Sequence, residues 1–177
     1  ESSYGWSKLM GEYECELAQQ EGAIETGILR LHNVYGPPSE MSPERSQVIP
    51  ALCRKAINFP EEDFIVWGSG NQRRAFLYVD DAVDAIVATL DKGMNNGVIQ
   101  IGPGKSYSIA DIAERIVKLS GKDIDIKYDL TKPEGDKDRT ADSSKANKIL
   151  SWEQKVPLDN GLERTFVWAS DYLKKNR

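Results

Sequence analysis

The sequence predicts an α/β fold. Short apolar segments with the character of strands alternate with amphipathic helical segments along the whole chain, which is the pattern of sheets covered by helices. The 177 residues, of which 40% are hydrophobic and 29% are charged, suffice for one packed core. Neither a long linker nor an internal repeat divides the sequence, so we expect its elements to pack together.

The first part of the chain predicts a helix, a strand and a second helix. Residues 7–20 repeat apolar side chains near a 3.6-residue period, and Gly22 can end that helix. The stretch "AIETGILRLHNVYGP" then predicts a strand that enters a loop, because the two prolines that follow forbid a helix. Residues 44–58 predict the second helix, and Pro50 favours either a helix start near that position or a kink.

The rest of the chain continues the alternation. "FIVWGSG" and "RAFLYV" predict short strands, and residues 80–91 predict a helix whose acidic N-terminus suits the helix dipole. After the strand "VIQIG", Ser108 and Asp111 resemble a capping box for a helix that Gly121 ends. "IDIKYD" predicts a strand and "LTKPEGDKDRT" a polar loop. Two last helices are predicted, a short one capped by Asp142 and one over residues 158–175.

The composition narrows the classes of function. The net charge of −5 argues against a broad nucleic-acid surface, and no apolar run is long enough to span a bilayer. Cys15 and Cys53 suit neither a metal site nor a disulfide framework, so we expect small buried thiols and a cytoplasmic setting. His32 is the only histidine, and taken by itself it favours packing at a strand end over metal binding or hydrolysis.

Two glycine-rich stretches fail the tests for phosphate-binding loops. "GSGNQR" lacks the third glycine of a dinucleotide fingerprint, and a strand follows where the fingerprint needs a helix. "GPGKS" at residues 102–106 ends like a P-loop, but Ile99 occupies the position of its first glycine. We therefore assign neither stretch to a cofactor.

Tyr4 and Lys8 are a candidate proton-handling pair. Residues four apart on a helix share a face, and a lysine cation beside a phenol favours the phenolate. Such a tyrosine can act as a general acid or base near neutral pH, and the lysine can also hydrogen-bond a ribose. The same spacing is common on ordinary helix surfaces, so the pair alone leaves both interpretations open.

Four motifs in a fixed order resemble the extended short-chain dehydrogenase/reductase (SDR) family of nucleotide-sugar epimerases and dehydratases. They are "YGWSK" before a helix, "LRLHNVYGP", "IVWGSGNQRRAFLYVDDAVDAI" and "PEGDKDRTADSSKANKILSW". The resemblance extends from Tyr4 to the final helix. Within that family, "RLHNVYGP", "LCRKA" and "WGSGNQRRAF" look most like the GDP-mannose 3,5-epimerases.

The resemblance implies the C-terminal part of a Rossmann-type extended SDR fold with a mixed α/β substrate-binding domain. Residues 1–36 would be the last part of the NAD-binding Rossmann domain, with the catalytic helix and the following strand. Residues 37–177 would form the region that binds the sugar nucleotide. Within it, a segment of about residues 74–91 would pack again with the Rossmann part. The N-terminal cofactor-binding half, with its glycine-rich turn, acidic ribose contact and catalytic Ser or Thr, is expected to be absent.

The resemblance also implies roles for individual residues. Tyr4 and Lys8 would be the catalytic pair, and together with His32 they would contact NAD. Arginine forks suit the phosphate oxygens of a sugar nucleotide. The residues that would bind the phosphates, ribose, base or sugar of the substrate are Asn33, Lys55, Trp67, Arg74 and Arg139. On the residues alone, each of these five is also compatible with a structural role in the core, a turn or a polar loop.

These features predict a cytoplasmic, homodimeric epimerase that uses NAD rather than NADP and acts on a GDP-sugar through a transient keto sugar. The isolated chain is expected to be inactive. Gln47 stands near the position of the acid/base lysine of the 3,5-epimerases, and an amide cannot exchange a proton at neutral pH. Two alternatives stay open: a UDP- or dTDP-sugar 4-epimerase, dehydratase or decarboxylase, and a non-catalytic sugar-nucleotide-binding or assembly module.

Overall fold

The computed structural model describes residues 3–176, so residues 1, 2 and 177, at the outer ends of the two predicted domains, lie outside it. Within that range six α-helices alternate with nine short strands, and the predicted α/β fold class is confirmed. The helices are α1 (Ser3–Gln20), α2 (Val48–Asn58), α3 (Val79–Ala88), α4 (Ile109–Ser120), α5 (Ser144–Leu150) and α6 (Leu158–Lys175). The strands are β1 (Ile28–Leu31), β2 (Val34–Tyr35), β3 (Ile65–Trp67), β4 (Arg73–Arg74), β5 (Leu77–Tyr78), β6 (Val98–Ile101), β7 (Tyr107–Ser108), β8 (Lys127–Asp129) and β9 (Asp138–Arg139).

The strands pair mostly in parallel. β1 pairs with β6, β2 with β5 and β3 with β8, and in each parallel pair the chain passes through at least one helix between the two strands. β4 lies between β9, which is parallel to it, and β7, which is antiparallel. β2 follows β1 closely in the chain, and it pairs with β5, which begins at residue 77. The segment that contains β5 therefore packs beside the first strands after α1.

Two apolar clusters hold these elements together. The larger one lies among α2, α4, α6 and β3, and the smaller one lies among β5, β6, α3 and α5. The capping box of Ser108 and Asp111 is present at the start of α4, and Gly121 ends that helix at φ 65°. The side chains of Asp81, Cys53 and Thr165 are fully buried as well.

No helix among residues 3–176 has both the length and the apolar character needed to cross a membrane.

The structure differs from the sequence predictions at several boundaries. α2 begins at Val48 rather than at residue 44, because the preceding residues form a turn in which the Ser46 N–H donates to the Ser42 carbonyl at 3.0 Å. α3 ends at Ala88 and passes into a π-helical turn, Thr89–Gly93. The predicted polar loop contains β9, whose backbone pairs with β4. The last of these differences arises from tertiary strand pairing, which local patterns do not encode.

The two thiols differ in burial. Cys53 is fully buried, and burial raises the pKa of its thiol to about 12. Cys15 is half-buried on α1, so the prediction of a buried thiol is right for Cys53 and wrong for Cys15. The reason is that α1 buries none of its side chains against the described part of the chain.

α1 lies on the surface and exposes apolar side chains. Tyr4 is 70% exposed, and Trp6, Met10 and Tyr13 are also more than half exposed. An ion pair connects the helix to β1, since the Arg30 guanidinium donates to both carboxylate oxygens of Glu12 at 2.8 and 2.6 Å. Those hydrogen bonds lower the pKa of Glu12.

Gly161, in the first turns of α6, allows a close approach to the buried ring of Tyr35. A Cβ atom at residue 161 would lie 2.1 Å from Tyr35 Oη, which donates a hydrogen bond to the Leu158 carbonyl at 3.2 Å. We therefore expect Gly161→Ala to lower the free energy of unfolding by about 1–3 kcal/mol, as overpacking does in other cores. Urea unfolding followed by circular dichroism would measure the change.

Gly11 is the matched control for this prediction. It lies within α1, and a Cβ atom there would meet no described atom within 4 Å. Gly11→Ala should therefore be neutral or stabilising by up to about 1 kcal/mol, the helix propensity difference between glycine and alanine. Equal stability of the two variants would contradict the close packing at Gly161.

Candidate functional site

A cavity of about 730 Å³ lies between the start of α2, the strands β3 and β4, and the loop that follows β8. Its walls include four of the five residues predicted to bind the substrate: Asn33, Lys55, Trp67 and Arg74. These residues come from four separate segments of the chain. Tertiary folding therefore brings together most of the predicted substrate site.

Arg74 projects from the short central strand β4. Its Nη1 atom donates to the backbone carbonyls of Arg73 and Asp136, at 2.7 and 2.6 Å. A Cβ atom at Gly135 would lie 3.2 Å from Arg74 Nη2, so the loop before β9 approaches the guanidinium closely. These contacts fix the guanidinium on the cavity wall, and its remaining N–H groups are suited to phosphate oxygens.

Lys55 lies on α2 and is half-buried beside the cavity. Its ammonium group donates to the Ile65 carbonyl at 2.5 Å. Burial lowers the pKa of Lys55, the carboxylate of Glu62 opposes that change, and the charge of Arg54 adds to it. The result is a cation held at the wall by a backbone carbonyl.

Asn33 and Gln72 are polar wall residues with amide side chains. Asn33 Nδ2 donates to the Ala75 carbonyl at 3.0 Å, which joins the β1–β2 connection to the segment after β4. Gln72 Nε2 donates to the Trp67 carbonyl at 3.2 Å. Gln72 Oε1 is buried and accepts no hydrogen bond from the described residues.

A buried arginine that sequence reasoning did not single out holds one wall of the cavity. Arg54 is 6% exposed, and its guanidinium binds the Glu62 carboxylate, with a shortest distance of 2.9 Å. Its Nη1 atom also donates to the Met41 carbonyl at 3.1 Å and to Ser46 Oγ at 3.0 Å. Arg54 therefore connects α2 to the turn that forms the cavity wall over residues 43–47. The signal in the sequence was an arginine at an apolar position of the α2 pattern.

The other predicted site residues lie outside the set of described residues that line this cavity. Lys8 Nζ lies 5.4 Å from the ring centroid of Tyr4, so the two side chains share one exposed face of α1. His32 ends β1, its N–H donates to the Ile101 carbonyl at 2.9 Å, and it packs on Gly102. It thus lies at the carboxyl edge of two parallel strands, where α/β folds commonly bind ligands.

Arg139 lies beside Arg74, and both arginines contact Asp136, Arg74 at its backbone carbonyl and Arg139 at its carboxylate. The two residues occupy the same register position in the parallel strands β4 and β9. The Arg139 guanidinium forms an ion pair with Asp136. Among residues 3–176 no group of three or more histidine, cysteine, aspartate or glutamate side chains is arranged to hold a metal ion.

Residues 1–102 match the model of the NAD dependent epimerase/dehydratase family. This match covers more than half of the chain. The chain belongs to that family. The family predicted from the four motifs, the extended SDR epimerases and dehydratases, and the predicted Rossmann-type α/β fold are confirmed.

Individual relatives of this family member act on more than one nucleotide sugar. The chain is 40% identical over 175 residues to GDP-L-fucose synthase 1 of Arabidopsis thaliana, covering 97% of the chain and 53% of that protein. It is 29% identical over its whole length to GDP-mannose 3,5-epimerase of the same plant, covering 46% of that enzyme. The chain therefore spans about half the length of the curated relatives it matches.

Solved structures of the family share the fold. A UDP-glucose 4-epimerase of Thermotoga maritima, crystallised with UDP-glucose, superposes with a TM-score of 0.87 at 29% identity. The superposition covers 98% of this chain and 53% of that enzyme. Because relatives named for GDP-sugars and for UDP-sugars both align, family membership alone does not select the base.

The family implies a nicotinamide cofactor, and the described residues fit one end of it. A phenol and an ammonium group on one exposed helix face, Tyr4 and Lys8, are the donors that a ribose hydroxyl pair can use. The positive φ angles of Gly68 and Gly70 occur in the turn after β3, and Glu134 and Tyr128 fill the space beside them. That turn therefore holds side chains of this chain rather than a cofactor pyrophosphate.

Proposed function

We propose that this chain supplies the substrate cavity and the acid/base pair of an NAD-dependent enzyme that epimerises a GDP-sugar. The observation that carries the proposal is the convergence of Asn33, Lys55, Trp67 and Arg74 on one cavity. The cations of Lys55 and Arg74 suit a diphosphate. The exposed indole of Trp67 suits a nucleotide base, and the Asn33 amide suits a sugar or phosphate oxygen. A sugar nucleotide needs this combination of groups.

Tyr4 and Lys8 would handle the proton in the proposed reaction. Tyr4 Oη would exchange the proton of a sugar hydroxyl, and Lys8, on the same exposed helix face, would assist that transfer. A nicotinamide bound beside this pair and His32 would supply reversible hydride transfer, so that the sugar is oxidised to a ketone and reduced again at the end of the cycle. The keto group would make the neighbouring C–H acidic, and removal of that proton followed by its return on the opposite face would invert that carbon before the hydride returns.

The relatives support a GDP-sugar as the first substrate class to test. Relatives named for GDP-L-fucose and GDP-mannose align over nearly the whole chain. The specific observation in favour of UDP-sugars is the 0.87 TM-score with an epimerase crystallised with UDP-glucose. A ligand panel of GDP-, UDP- and dTDP-sugars, compared by ligand-observed NMR, separates the two classes, and a preference for UDP would remove the GDP proposal.

We also propose a cytoplasmic homodimer whose activity needs groups beyond this chain. The exposed apolar side chains of α1, among them Trp6, Met10 and Tyr13, support self-association through that helix. Because neither glycine-rich stretch suits a cofactor pyrophosphate, we expect this chain by itself to bind the sugar nucleotide without catalysing turnover.

Arg74→Ala tests the proposed phosphate contact. We expect the affinity for GDP to fall by about 10- to 100-fold, because hydrogen bonds to a charged group each contribute about 1.5–3 kcal/mol. Isothermal titration calorimetry with GDP on the purified chain measures the loss. Because Arg74 also holds the Asp136 carbonyl, the melting temperature of the variant is recorded alongside.

Arg73 provides the matched control on the same strand. Its guanidinium donates to Ser106, through Nε to Oγ at 3.2 Å and through Nη2 to the carbonyl at 2.7 Å, and it lies outside the described cavity lining. Arg73→Ala should change the GDP affinity by less than about threefold. An equal loss in both variants would show that the strand is disturbed, and an unchanged affinity in Arg74→Ala would reject the phosphate assignment.

A further inference from the structure

The end of the cavity around Trp67 carries two charged side chains, Lys132 and Glu134, to which the sequence analysis gave no role. Trp67 is 58% exposed and lines the cavity. The loop that follows β8 folds back over it, so that Lys132 Nζ lies 5.3 Å from the indole centroid. An exposed indole on a cavity wall is a stacking surface for a planar ring, whichever base that ring belongs to.

Glu134, in the same loop, lines the cavity next to this indole. Its Oε1 atom accepts the Ser69 backbone N–H at 2.6 Å. Its side chain packs on Gly68, where a Cβ atom would lie 2.5 Å from Glu134 Cγ, and the positive φ of 73° at residue 68 suits glycine. The carboxylate is therefore held in place by the turn that immediately follows Trp67.

The free hydrogen-bonding capacity of Glu134 points toward a ligand. Oε2 accepts no hydrogen bond from the residues that the structure describes, and Oε1 can accept a second one. The next residue, Gly135, approaches the guanidinium of Arg74. The carboxylate is thus held by the turn after Trp67, and the residue that follows it in the chain touches the arginine assigned to the phosphates.

We propose that Glu134 selects guanine among the bases of nucleoside diphosphates, with Lys132 and Trp67 completing the base site. Guanine presents two adjacent donors, N1–H and the N2 amino group, and a carboxylate can accept both. Uracil and thymine present one N–H between two carbonyl acceptors, which a carboxylate repels. The inference rests on the proposed function, since it assumes that the cavity binds a nucleotide.

The ammonium group of Lys132 also suits guanine. Guanine carries acceptors at O6 and N7, and a lysine ammonium is a donor only. Lys132 Nζ lies 5.3 Å from the indole centroid, so a ring that stacks on that face would displace the flexible ammonium to the edge of the ring. The Lys132 ammonium as donor and the Glu134 carboxylate as acceptor together match guanine. Adenine offers an amino donor beside a ring acceptor, so a carboxylate can accept only one hydrogen bond from that edge.

Binding of GDP, IDP and UDP to the whole chain tests this assignment. IDP differs from GDP by the N2 amino group alone, so it isolates the contact that Glu134 would make. We expect the unmodified chain to bind GDP about 10- to 100-fold more tightly than UDP, with IDP in between. In Glu134→Gln, whose amide offers one acceptor and one donor, the preference for GDP over IDP should fall below about threefold.

Glu44→Gln is the control variant, because Glu44 lines the same cavity near the start of α2 and loses the same charge. It should keep the GDP preference of the unmodified chain. If GDP, IDP and UDP bind equally, or if Glu134→Gln keeps the preference, this inference is wrong while the proposed function stands. If none of the three nucleotides binds the unmodified chain, the proposed function fails together with the inference.

Discussion

Replacing Tyr4 by phenylalanine in the full-length protein should lower kcat by about 10²- to 10⁴-fold, the contribution of a positioned general acid or base. The change removes one oxygen and leaves the ring, and the exposed position of Tyr4 means that no packing is lost. The affinity for the sugar nucleotide should stay within about threefold, because Tyr4 lies outside the described lining of the cavity. Turnover assays and calorimetry on the same preparation separate the two effects.

Tyr13 provides the matched control for this prediction. It lies on the same helix, is also more than half exposed, and loses the same oxygen in Tyr13→Phe. That variant should retain full turnover, while Lys8→Met should reproduce much of the Tyr4 defect, because Lys8 shares the exposed helix face of Tyr4 and is proposed to act with it. Normal turnover in Tyr4→Phe would reject the proposed proton transfer and leave the family assignment untouched.

Replacing Arg54 by methionine should lower the free energy of unfolding by about 3 kcal/mol. Breaking a buried ion pair costs about 3–5 kcal/mol, and the lower value applies because the Glu62 side chain is 30% exposed and can gain water. The Met41 carbonyl and Ser46 Oγ would also lose their donor. Denaturant unfolding measures the loss of stability, and weaker nucleotide binding should accompany it because the turn at one cavity wall is released.

The pH dependence of this contribution follows from Glu62. Burial alone would raise its pKa, but hydrogen bonds from Arg54 and Asn58 outweigh that effect, so the net pKa of Glu62 is lowered. A carboxyl whose pKa is lower in the folded state stabilises the protein above its unfolded pKa of about 4.3. That stabilisation disappears as the pH falls through the folded value. Arg54→Met should therefore unfold with less dependence on pH in this range than the unmodified chain.

Two variants check that the loss in Arg54→Met comes from burial of the pair. Arg45 forms an exposed ion pair with Glu40 at 3.1 Å in the same region, and its side chain is 77% exposed. Arg45→Met should cost less than about 1 kcal/mol, as surface pairs usually do. The double change of Arg54 and Glu62 to apolar residues should recover much of the stability, because no unpaired charge remains. No recovery would mean that the hydrogen bonds to the turn dominate.

The sequence predicted those site residues that belong to recognisable motifs. It did not predict those whose position in the site depends on tertiary packing. Trp67, Arg74 and Lys55 were identified from motifs and they do line one cavity. Arg54 was missed, because an arginine on an apolar helix face gives no local sign that it is buried or that its partner is Glu62, eight residues later. Glu134 was missed because it stands in a polar loop, where only the close contact with Gly68 gives it a fixed position. Arg139 was predicted to bind substrate, and that role stays a prediction.

The sequence by itself determined the α/β class, the family and the order of the elements, because periodicity, caps and motifs are local properties of neighbouring residues. Only the tertiary structure decided that β4 joins β7 and β9, that the loop after β8 covers Trp67, and that Glu134 and Arg74 border one cavity. These contacts join residues far apart along the chain. Their energies depend on burial and on backbone partners, which no local pattern specifies.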